Sequence, residues 1–384
     1  MTQTARRLLS VLDNKCAAET MLELLKRAGI AVGGDAPWDI QVHDERVYTR
    51  VLRDGTLGVG ESYVEGWWDC QAIDQMLERL IRARVDSLLR ESWILLAQAV
   101  RSRIRNLQVS RAFEVGERHY DVGNDLYRAM LGPSMMYTCA YWKDVDMLDA
   151  AQNAKLDLVC RKIGARPGMR ILDLGCGWGG FARFAAERYG ASIVGYTVSR
   201  EQCAWAKEHF TKLPIEVRLD DYRNAIGSYD AVVSIGLMEH VGPKNYRAYM
   251  ALAKRCLAPG GVVFVHTIAG SQPRTQIDPW YQKYIFPNAV VPTLGQLATA
   301  MDEILVPEDV QNIGPHYDRT LMVWWSNFER AWPSLRDRYG DHFYRMWKFY
   351  LLTSAAEFRT RDLNLFQIVA TPRGMAQPPT IRAT

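Results

Sequence analysis

The sequence lacks the features of a secreted, disulfide-bonded or membrane-spanning chain. Its seven cysteines are odd in number and form no C-x-x-C pair, which argues against a disulfide framework and a structural zinc site. No apolar run approaches the roughly 20 residues that a membrane helix needs, and the best candidate covers only residues 93–100. Residues 1–15 contain no apolar stretch with a small-residue cleavage site, so we expect no signal peptide. These absences predict a protein of the reducing cytoplasm.

The sequence also lacks a strong net charge. A net charge of +4 over 384 residues is too small to indicate nucleic-acid binding, and we expect no nucleic-acid partner. Positive charge is concentrated in residues 79–111, where eight arginines face two acids, a local net of +6. Because this stretch also carries leucines and Trp93, it is typical of an amphipathic region on an anionic lipid surface. A solvated helical face is the simpler interpretation of the stretch taken alone.

The pattern of apolar residues changes along the chain. The first part predicts helices at residues 19–28 and 72–85, separated by a turn-rich stretch at residues 33–60. From Met169 onward, short apolar runs lie at residues 170–172, 192–195, 215–219, 231–235 and 262–265, with helical stretches at residues 181–189, 200–210 and 245–257. This alternation predicts a Rossmann-like α/β fold with a parallel sheet covered on both faces. Ligands of such sheets bind beyond the carboxyl ends of the strands.

A glycine-rich loop follows the first of these predicted strands. The strand ends at Asp173, and glycines follow at Gly175, Gly177 and Gly179. Glycine lets the backbone turn tightly and lets a ligand approach it closely. An acid ahead of the first glycine can bind the ammonium group of a methionine moiety, whereas it would repel a pyrophosphate. The loop therefore predicts an S-adenosylmethionine site of the class I methyltransferase type.

The ends of later strands supply further cofactor contacts. After the third strand, Asp221 can accept a hydrogen bond from an adenine amino group, and Tyr222 can stack on the ring. The second strand lacks the acid that many such enzymes use for the ribose hydroxyls, so hydroxyl and amide side chains must replace it. The complete predicted cofactor set is Tyr137, Thr138, Asp173, Gly175, Gly177, Thr197, Ser199, Gln202, Asp221, Tyr222 and Gly236.

Other polar residues fall at positions where this fold would gather them. Glu239 follows the fourth strand, His266 closes the fifth, Cys139 lies upstream and Tyr317 lies downstream. Each residue alone has a structural explanation, since cysteine is often a small core residue and histidine often bonds to backbone. No close pair has metal-ligand spacing on one element, so we expect no metal ion.

Many sequence blocks, in order, resemble the cyclopropane-fatty-acyl-phospholipid synthases over nearly the whole chain. The blocks are Gly58-Val59-Gly60-Glu61-Ser62-Tyr63, Gly66-Trp67-Trp68-Asp69, His119-Tyr120-Asp121, Asn124-Asp125-Leu126, residues 137–142, residues 172–180, Glu239-His240-Val241-Gly242-Pro243, Asp278-Pro279-Trp280 and Lys283-Tyr284-Ile285-Phe286-Pro287. Such a set is far more specific than any single motif. The resemblance implies methylene transfer from S-adenosylmethionine to the cis double bond of an unsaturated phospholipid acyl chain.

The resemblance also implies a bound ion and an assembly. A bicarbonate ion would contact Cys139, Glu239, His266, Tyr317 and the backbone of Ile268. A small helical lipid-engaging domain at residues 1–112 would precede a catalytic methyltransferase domain at residues 113–384. The chain would form a homodimer that associates peripherally with the inner face of the membrane. Some members carry a cysteine where this sequence has Ser354, which excludes a covalent thiol at that position.

The reaction implied by the resemblance assigns a chemical role to these side chains. Methyl transfer to one alkene carbon leaves a carbocation, and closing the ring then requires loss of a proton from the new methyl group. Bicarbonate oriented by Cys139, His266 and Tyr317, with Glu239 receiving or relaying the proton, would act as a mild base.

Two alternatives stay open at this stage. One is a methyltransferase that leaves a methyl branch on a lipid or methylates a small molecule, which product analysis would separate from ring closure. The other is a non-catalytic lipid-binding protein on the same fold. The second predicts degeneration of the glycine loop or of the polar set, and the sequence shows neither.

Overall fold

The computed structural model describes residues 14–85 and 123–375, which belong to two compact units. Of the described residues, the first unit contains 14–85, 275–285 and 324–362, and the second contains 123–274, 286–323 and 363–375. The domain boundary predicted between residues 112 and 113, and most of the basic stretch, lie outside the described residues. Within the described part, no helix is long and apolar enough to span a membrane.

Helices and strands alternate over much of the described chain. The helices are α1 (Asn14–Arg27), α2 (Arg46–Asp54), α3 (Thr56–Val64), α4 (Ile73–Arg82), α5 (Asn124–Leu131), α6 (Leu148–Lys162), α7 (Gly180–Tyr189), α8 (Arg200–His209), α9 (Met238–Val241), α10 (Tyr246–Arg255), α11 (Pro279–Tyr284), α12 (Leu294–Met301) and α13 (Pro315–Arg359). The strands are β1 (Gln41–Val42), β2 (Trp68–Asp69), β3 (Arg170–Leu174), β4 (Ser192–Thr197), β5 (Ile215–Leu219), β6 (Tyr229–Ile235), β7 (Leu257–Gly270), β8 (Leu305–Asn312) and β9 (Leu363–Pro372). Gly340, with a φ of 75°, interrupts α13.

The first unit is mainly helical. The helices predicted at residues 19–28 and 72–85 are present as α1 and α4. The prediction of a turn-rich stretch at residues 33–60 is wrong in part, because α2 and half of α3 lie within it. Only Val47 and Val51, one turn apart, form the buried stripe of α2, and so short a stripe gives little helical periodicity. Strands β1 and β2 form an antiparallel pair.

The second unit contains a seven-stranded sheet in the order β5-β4-β3-β6-β7-β9-β8. Strands β3 to β7 pair in parallel, which confirms the predicted Rossmann-like α/β fold and the five predicted strands. The sheet is mixed rather than all parallel, because β9 pairs antiparallel with both β7 and β8. These two strands were not predicted.

Alternate residues of the central strands pack on opposite faces of the sheet. Leu172 and Val232 belong to one buried cluster, with helices α10 and α12, whereas Ile171 and Val233 belong to the other, with α6 and α7. Burial on both faces explains why these strands carry continuous apolar runs. The polar residues Asp173, Ser234 and His266 lie toward the carboxyl ends of β3, β6 and β7.

Candidate active site

The loop after β3 has the backbone geometry that the sequence predicted. Gly175, Gly177 and Gly179 have φ values of 88°, 57° and 80°, in the region that favours glycine. A Cβ atom at Gly179 would lie 2.6 Å from the ring of Phe210. Helix α7 begins directly after this turn. The glycines therefore let the backbone turn tightly from the end of β3 into a helix.

Asp173 lies at the end of β3 and is buried. Its Oδ1 atom has no hydrogen-bond partner among the described residues. Burial raises the pKa of this carboxyl to about 7, against the opposing effect of the nearby Lys155. A buried carboxylate oxygen without a partner is costly unless a ligand satisfies it. Asp173 and the glycine loop thus fit the ammonium end of S-adenosylmethionine.

The residues predicted for the ribose form their own hydrogen-bonded group. Thr197 Oγ1 donates to Gln202 Oε1 over 2.8 Å, and the Ser199 hydroxyl accepts from Gln202 N over 3.2 Å at the start of α8.

The residues predicted for adenine lie after β5. Asp221 is bound by Arg223, whose Nε lies 2.8 Å from Asp221 Oδ1, and the Tyr222 ring packs edge-on against Tyr249.

An aromatic support beside the loop was missed by the sequence analysis. Trp178 Nε1 donates to Asn124 Oδ1 over 2.9 Å, which ties the glycine loop to α5. The Tyr127 ring lies 4.8 Å from Trp178 and 5.3 Å from Tyr137, between ring centroids. The sequence offered one signal for this support, because Asn124 belongs to a block that resembles the family, but no role was assigned to that residue.

Glu239 is a buried acid in the short helix α9, next to the end of β6. Its Oε1 accepts a hydrogen bond of 2.6 Å from the backbone N–H of Ile268 on β7, while Oε2 has no partner in the described part of the chain. Burial raises its pKa to about 7, and hydrogen bonds from Ile268 and Thr267 offset only part of that effect. The backbone of Ile268 was predicted to contact bicarbonate, and its N–H group already binds Glu239.

His266 lies on β7 and is fully buried. Its Nδ1 lies 3.3 Å from Gln367 Nε2 on β9, and its Nε2 has no partner among the residues described. Burial, together with Lys155 and Lys162, holds its pKa well below the usual value, so the ring is neutral. Gln367 was missed by the sequence analysis because β9 was not predicted.

Cys139 is buried in a segment that packs on the first turns of α13. Thr320 Oγ1 accepts from the Ala140 backbone N–H over 3.2 Å and from Trp142 Nε1 over 2.9 Å. Tyr317 precedes Thr320 by three residues, so the two lie on one face of the helix. The structure thereby places Tyr317 on the helix that holds the Cys139 segment.

Two side chains of α6 hold the preceding part of this segment, and both were missed. Gln152 Nε2 donates to Thr138 O over 2.9 Å, and Lys155 Nζ donates to Thr138 Oγ1 over 3.0 Å. A Cβ atom at Gly236 would lie 3.0 Å from Thr138 Cγ2, and the Gly236 N–H donates to His266 O over 2.8 Å. Thr138 and Gly236, which are both predicted cofactor residues, therefore lie next to each other, and Gly236 is hydrogen-bonded to the backbone of His266.

The fold and site together define a class of protein. A mainly parallel sheet has a D-x-G-x-G-x-G loop after β3, and the buried acid at the end of that strand has an oxygen without a partner among the described residues. This is the arrangement of Rossmann-like methyltransferases that use S-adenosylmethionine. Comparison with known proteins narrows this class.

The chain belongs to the family described as mycolic acid cyclopropane synthetase, whose sequence profile matches residues 107–368. It is 46% identical over 348 residues to the cyclopropane-fatty-acyl-phospholipid synthase of Escherichia coli strain K12, covering 90% of this chain and 91% of that protein. It is 31% identical to the tuberculostearic acid methyltransferase UfaA1 of Mycobacterium tuberculosis, and the match covers 92% of this chain and 88% of that protein.

A solved structure agrees with this family membership. The mycolic acid cyclopropane synthase CmaA1, in complex with SAH and CTAB, superimposes with a TM-score of 0.64 at 30% identity. The match covers 67% of this chain and 97% of that chain.

Proposed function

We propose that this chain forms cyclopropane rings in phospholipids, by transferring a methylene group from S-adenosylmethionine to the cis double bond of an unsaturated acyl chain. The observation that carries the proposal is the 46% identity, across 90% of the chain, to the synthase of Escherichia coli. A methyl-branched product is not favoured, because the methyltransferase of Mycobacterium tuberculosis is only 31% identical over a similar length.

The cofactor contacts follow from the loop and the strand ends. When bound, S-adenosylmethionine supplies an electrophilic methyl group on a sulfonium. Asp173 would bind its ammonium group, and Gly175 and Gly177 allow the backbone to approach it closely. The remaining contacts would come from Tyr137, Thr138, Thr197, Ser199, Gln202, Asp221, Tyr222 and Gly236. Asp221 would keep its bond to Arg223 while its remaining lone pairs face the adenine.

Partnerless buried polar atoms support a small anion beside the cofactor. Glu239 Oε2 and His266 Nε2 are both buried and have no partner in the described residues. Bicarbonate bound by Cys139, Glu239, His266, Tyr317 and the Ile268 backbone would supply a small oxygen base. Since Ile268 N–H already donates to Glu239, the anion would share that donor.

Glu239 is suited to receive a proton released during ring closure. Its Oε1 is fixed by Ile268, which leaves Oε2 as the atom that gains or loses the proton. A pKa of about 7, raised by burial, matches a group that accepts and then returns a proton near neutral pH. His266 is neutral and offers an N–H or a lone pair at Nε2, according to its tautomer.

The lipid surface and the assembly belong to the same proposal. The basic residues 79–111 would contact anionic headgroups at the inner face of the membrane, where the unsaturated phospholipid is found. The chain would be cytoplasmic and homodimeric, and residues 1–112 would form the lipid-engaging domain. Replacing Arg101, Arg103 and Arg105 with alanine should weaken binding to anionic vesicles, most strongly at low salt. Vesicle binding that is indifferent to charge and salt would contradict this contact.

A product assay tests the activity. Purified enzyme is incubated with S-adenosylmethionine and vesicles of cis-unsaturated phospholipid, and the fatty acids are analysed by gas chromatography with mass spectrometry. The proposal predicts a product heavier by one methylene, without the alkene. No lipid product despite cofactor binding would point to a different methyl acceptor.

A further inference from the structure

The side chains predicted to bind the anion carry no positive charge. Burial raises the pKa of the Cys139 thiol far above neutral, so the thiol is uncharged. Burial also lowers the pKa of His266 well below its usual value. Glu239 adds either no charge or a negative one. A buried anion surrounded only by such groups is costly, because charges leave water readily only when they are paired.

A buried lysine lies next to this set. Lys155 projects from α6 and is completely buried, and its Nζ donates to Thr138 Oγ1 over 3.0 Å. Thr138 directly precedes Cys139 in the chain. Lys155 interacts electrostatically with Cys139 and with His266, two of the residues predicted to bind the anion. Its ammonium group has three N–H donors, and the hydrogen bond to Thr138 uses one of them.

We propose that Lys155 is the buried counter-charge of the anion that binds beside Cys139 and His266. This inference rests on the proposed function, because it requires an anion at that site. A protonated lysine in a low-dielectric surrounding attracts a small oxyanion strongly, and the anion in turn keeps the lysine protonated. Lys155 would thereby supply the positive charge that none of the predicted ligands carries.

The other charges around Lys155 leave it available for this role. Asp173 faces it from the end of β3, and that carboxyl is the predicted partner of the cofactor ammonium group. Lys162, the other buried lysine of α6, forms an ion pair of 3.1 Å with Asp309. Burial lowers the pKa of Lys155 to about 7, and the nearby Asp173 offsets only part of that effect.

Binding of ¹³C-labelled bicarbonate to the full-length protein, measured by NMR titration near pH 7 without S-adenosylmethionine, tests the inference. Lys155→Met and Lys155→Gln should each weaken binding about thirtyfold or more, as for loss of one partner of a buried charge pair. Lys155→Arg should bind better than either neutral variant, because it keeps the charge. Gln152→Leu is the matched control, since Gln152 holds the same segment from the same helix without a charge.

Each outcome is informative. Loss of binding in the neutral lysine variants, with retention in Gln152→Leu within about threefold, supports Lys155 as the counter-charge. Equal loss in Gln152→Leu would overturn it, because the effect would then come from the position of the segment. Unchanged affinity in Lys155→Met and Lys155→Gln would also overturn it.

If the wild-type protein binds no bicarbonate, the inference fails together with the proposed anion site. The product assay still decides whether methylene transfer occurs. Circular dichroism confirms that each variant is folded.

Discussion

Glu239 and Ile268 are joined by a hydrogen bond of 2.6 Å from the Ile268 backbone N–H to the Glu239 carboxyl. The bond connects the helix after β6 to strand β7 and fixes the orientation of a buried acid. Because Oε1 is fixed and Oε2 has no partner within residues 14–85 and 123–375, we expect Oε2 to take up a transferred proton. This geometry makes Glu239 the side chain on which the proposed ring closure depends most.

We predict that Glu239→Gln lowers turnover by about 10²- to 10⁴-fold, as is typical for loss of a general base. The amide oxygen can still accept from Ile268, so the local structure should persist. Cofactor binding, measured by calorimetry, should change little because Asp173 and the glycine loop are untouched. Cys139→Ala should also reduce turnover while it leaves cofactor binding nearly intact. Unchanged activity in both variants would contradict the assignment of the site.

The pH dependence of turnover should report the same carboxyl. Burial raises the pKa of Glu239 from the usual 4.5 to about 7, so the base form becomes populated as the pH rises through about 7. The rate constant should rise over that interval in the wild-type protein, and Glu239→Gln should lose this limb of the profile. A profile with the same rise in both proteins would assign the ionisation to another group.

The contribution of Glu239 to the stability of the fold should fall as the pH rises, whereas turnover should rise. A carboxyl whose pKa is higher in the folded state favours folding while it is protonated. The contribution of Glu239 is therefore fully present below about pH 4.5 and is lost as the pH rises through about 7. Urea unfolding of Glu239→Gln, compared with wild type at several pH values, should show a smaller loss of stability over this interval. An equal loss in both proteins would contradict the raised pKa.

Gln367 should act through His266. Its amide nitrogen lies 3.3 Å from His266 Nδ1 and, as a donor there, would leave the ring proton on Nε2. Gln367→Leu should reduce turnover about 10- to 100-fold, as for other residues that orient a functional histidine. Nitrogen-15 NMR of the imidazole should show a changed tautomer population. Loss of activity with an unchanged tautomer would indicate a packing role only.

The first unit contains two close contacts that join three of the matched sequence blocks. A Cβ atom at Gly60 would lie 2.3 Å from Trp280 Cδ1, and Glu61 accepts from the Tyr284 hydroxyl over 2.8 Å. Gly60→Ala should therefore destabilise the protein by about 1–3 kcal/mol, measured by urea unfolding. Gly295→Ala is the control, because a Cβ atom there meets nothing closer than 3.9 Å and alanine favours the helix. A Gly60→Ala variant as stable as Gly295→Ala would show that Trp280 can move aside.

The central strands and the glycine loop could be predicted because each leaves a local signal. Continuous apolar runs mark strands that are buried on both faces, and a run of glycines after one of them marks the turn. Strand β9, which pairs antiparallel between β7 and β8, leaves a weaker signal because the buried polar residue Gln367 interrupts its apolar run. Helix α2 was missed because its buried stripe consists of only two valines.

Much of the candidate site could be predicted for the same reason, but its supporting residues could not. Asp173 and Glu239 follow predicted strands, and the fold brings such positions to one edge of the sheet. Lys155 and Gln367 lie within a helix and a strand whose other residues are ordinary core and surface residues. Only the packing of α6 against the loop at Thr138, and of β9 against β7, reveals that these two polar side chains face the site.

The most direct test of the account uses S-adenosylmethionine whose transferred methyl group carries three deuterium atoms. Mass spectrometry of the lipid product then follows the fate of that group. Ring closure requires loss of one deuteron to a base, so the account predicts a cyclopropane carrying a CD₂ unit, and Glu239→Gln should form it far more slowly. A product that retains the intact CD₃ group as a branch would contradict ring closure and the role proposed for Glu239.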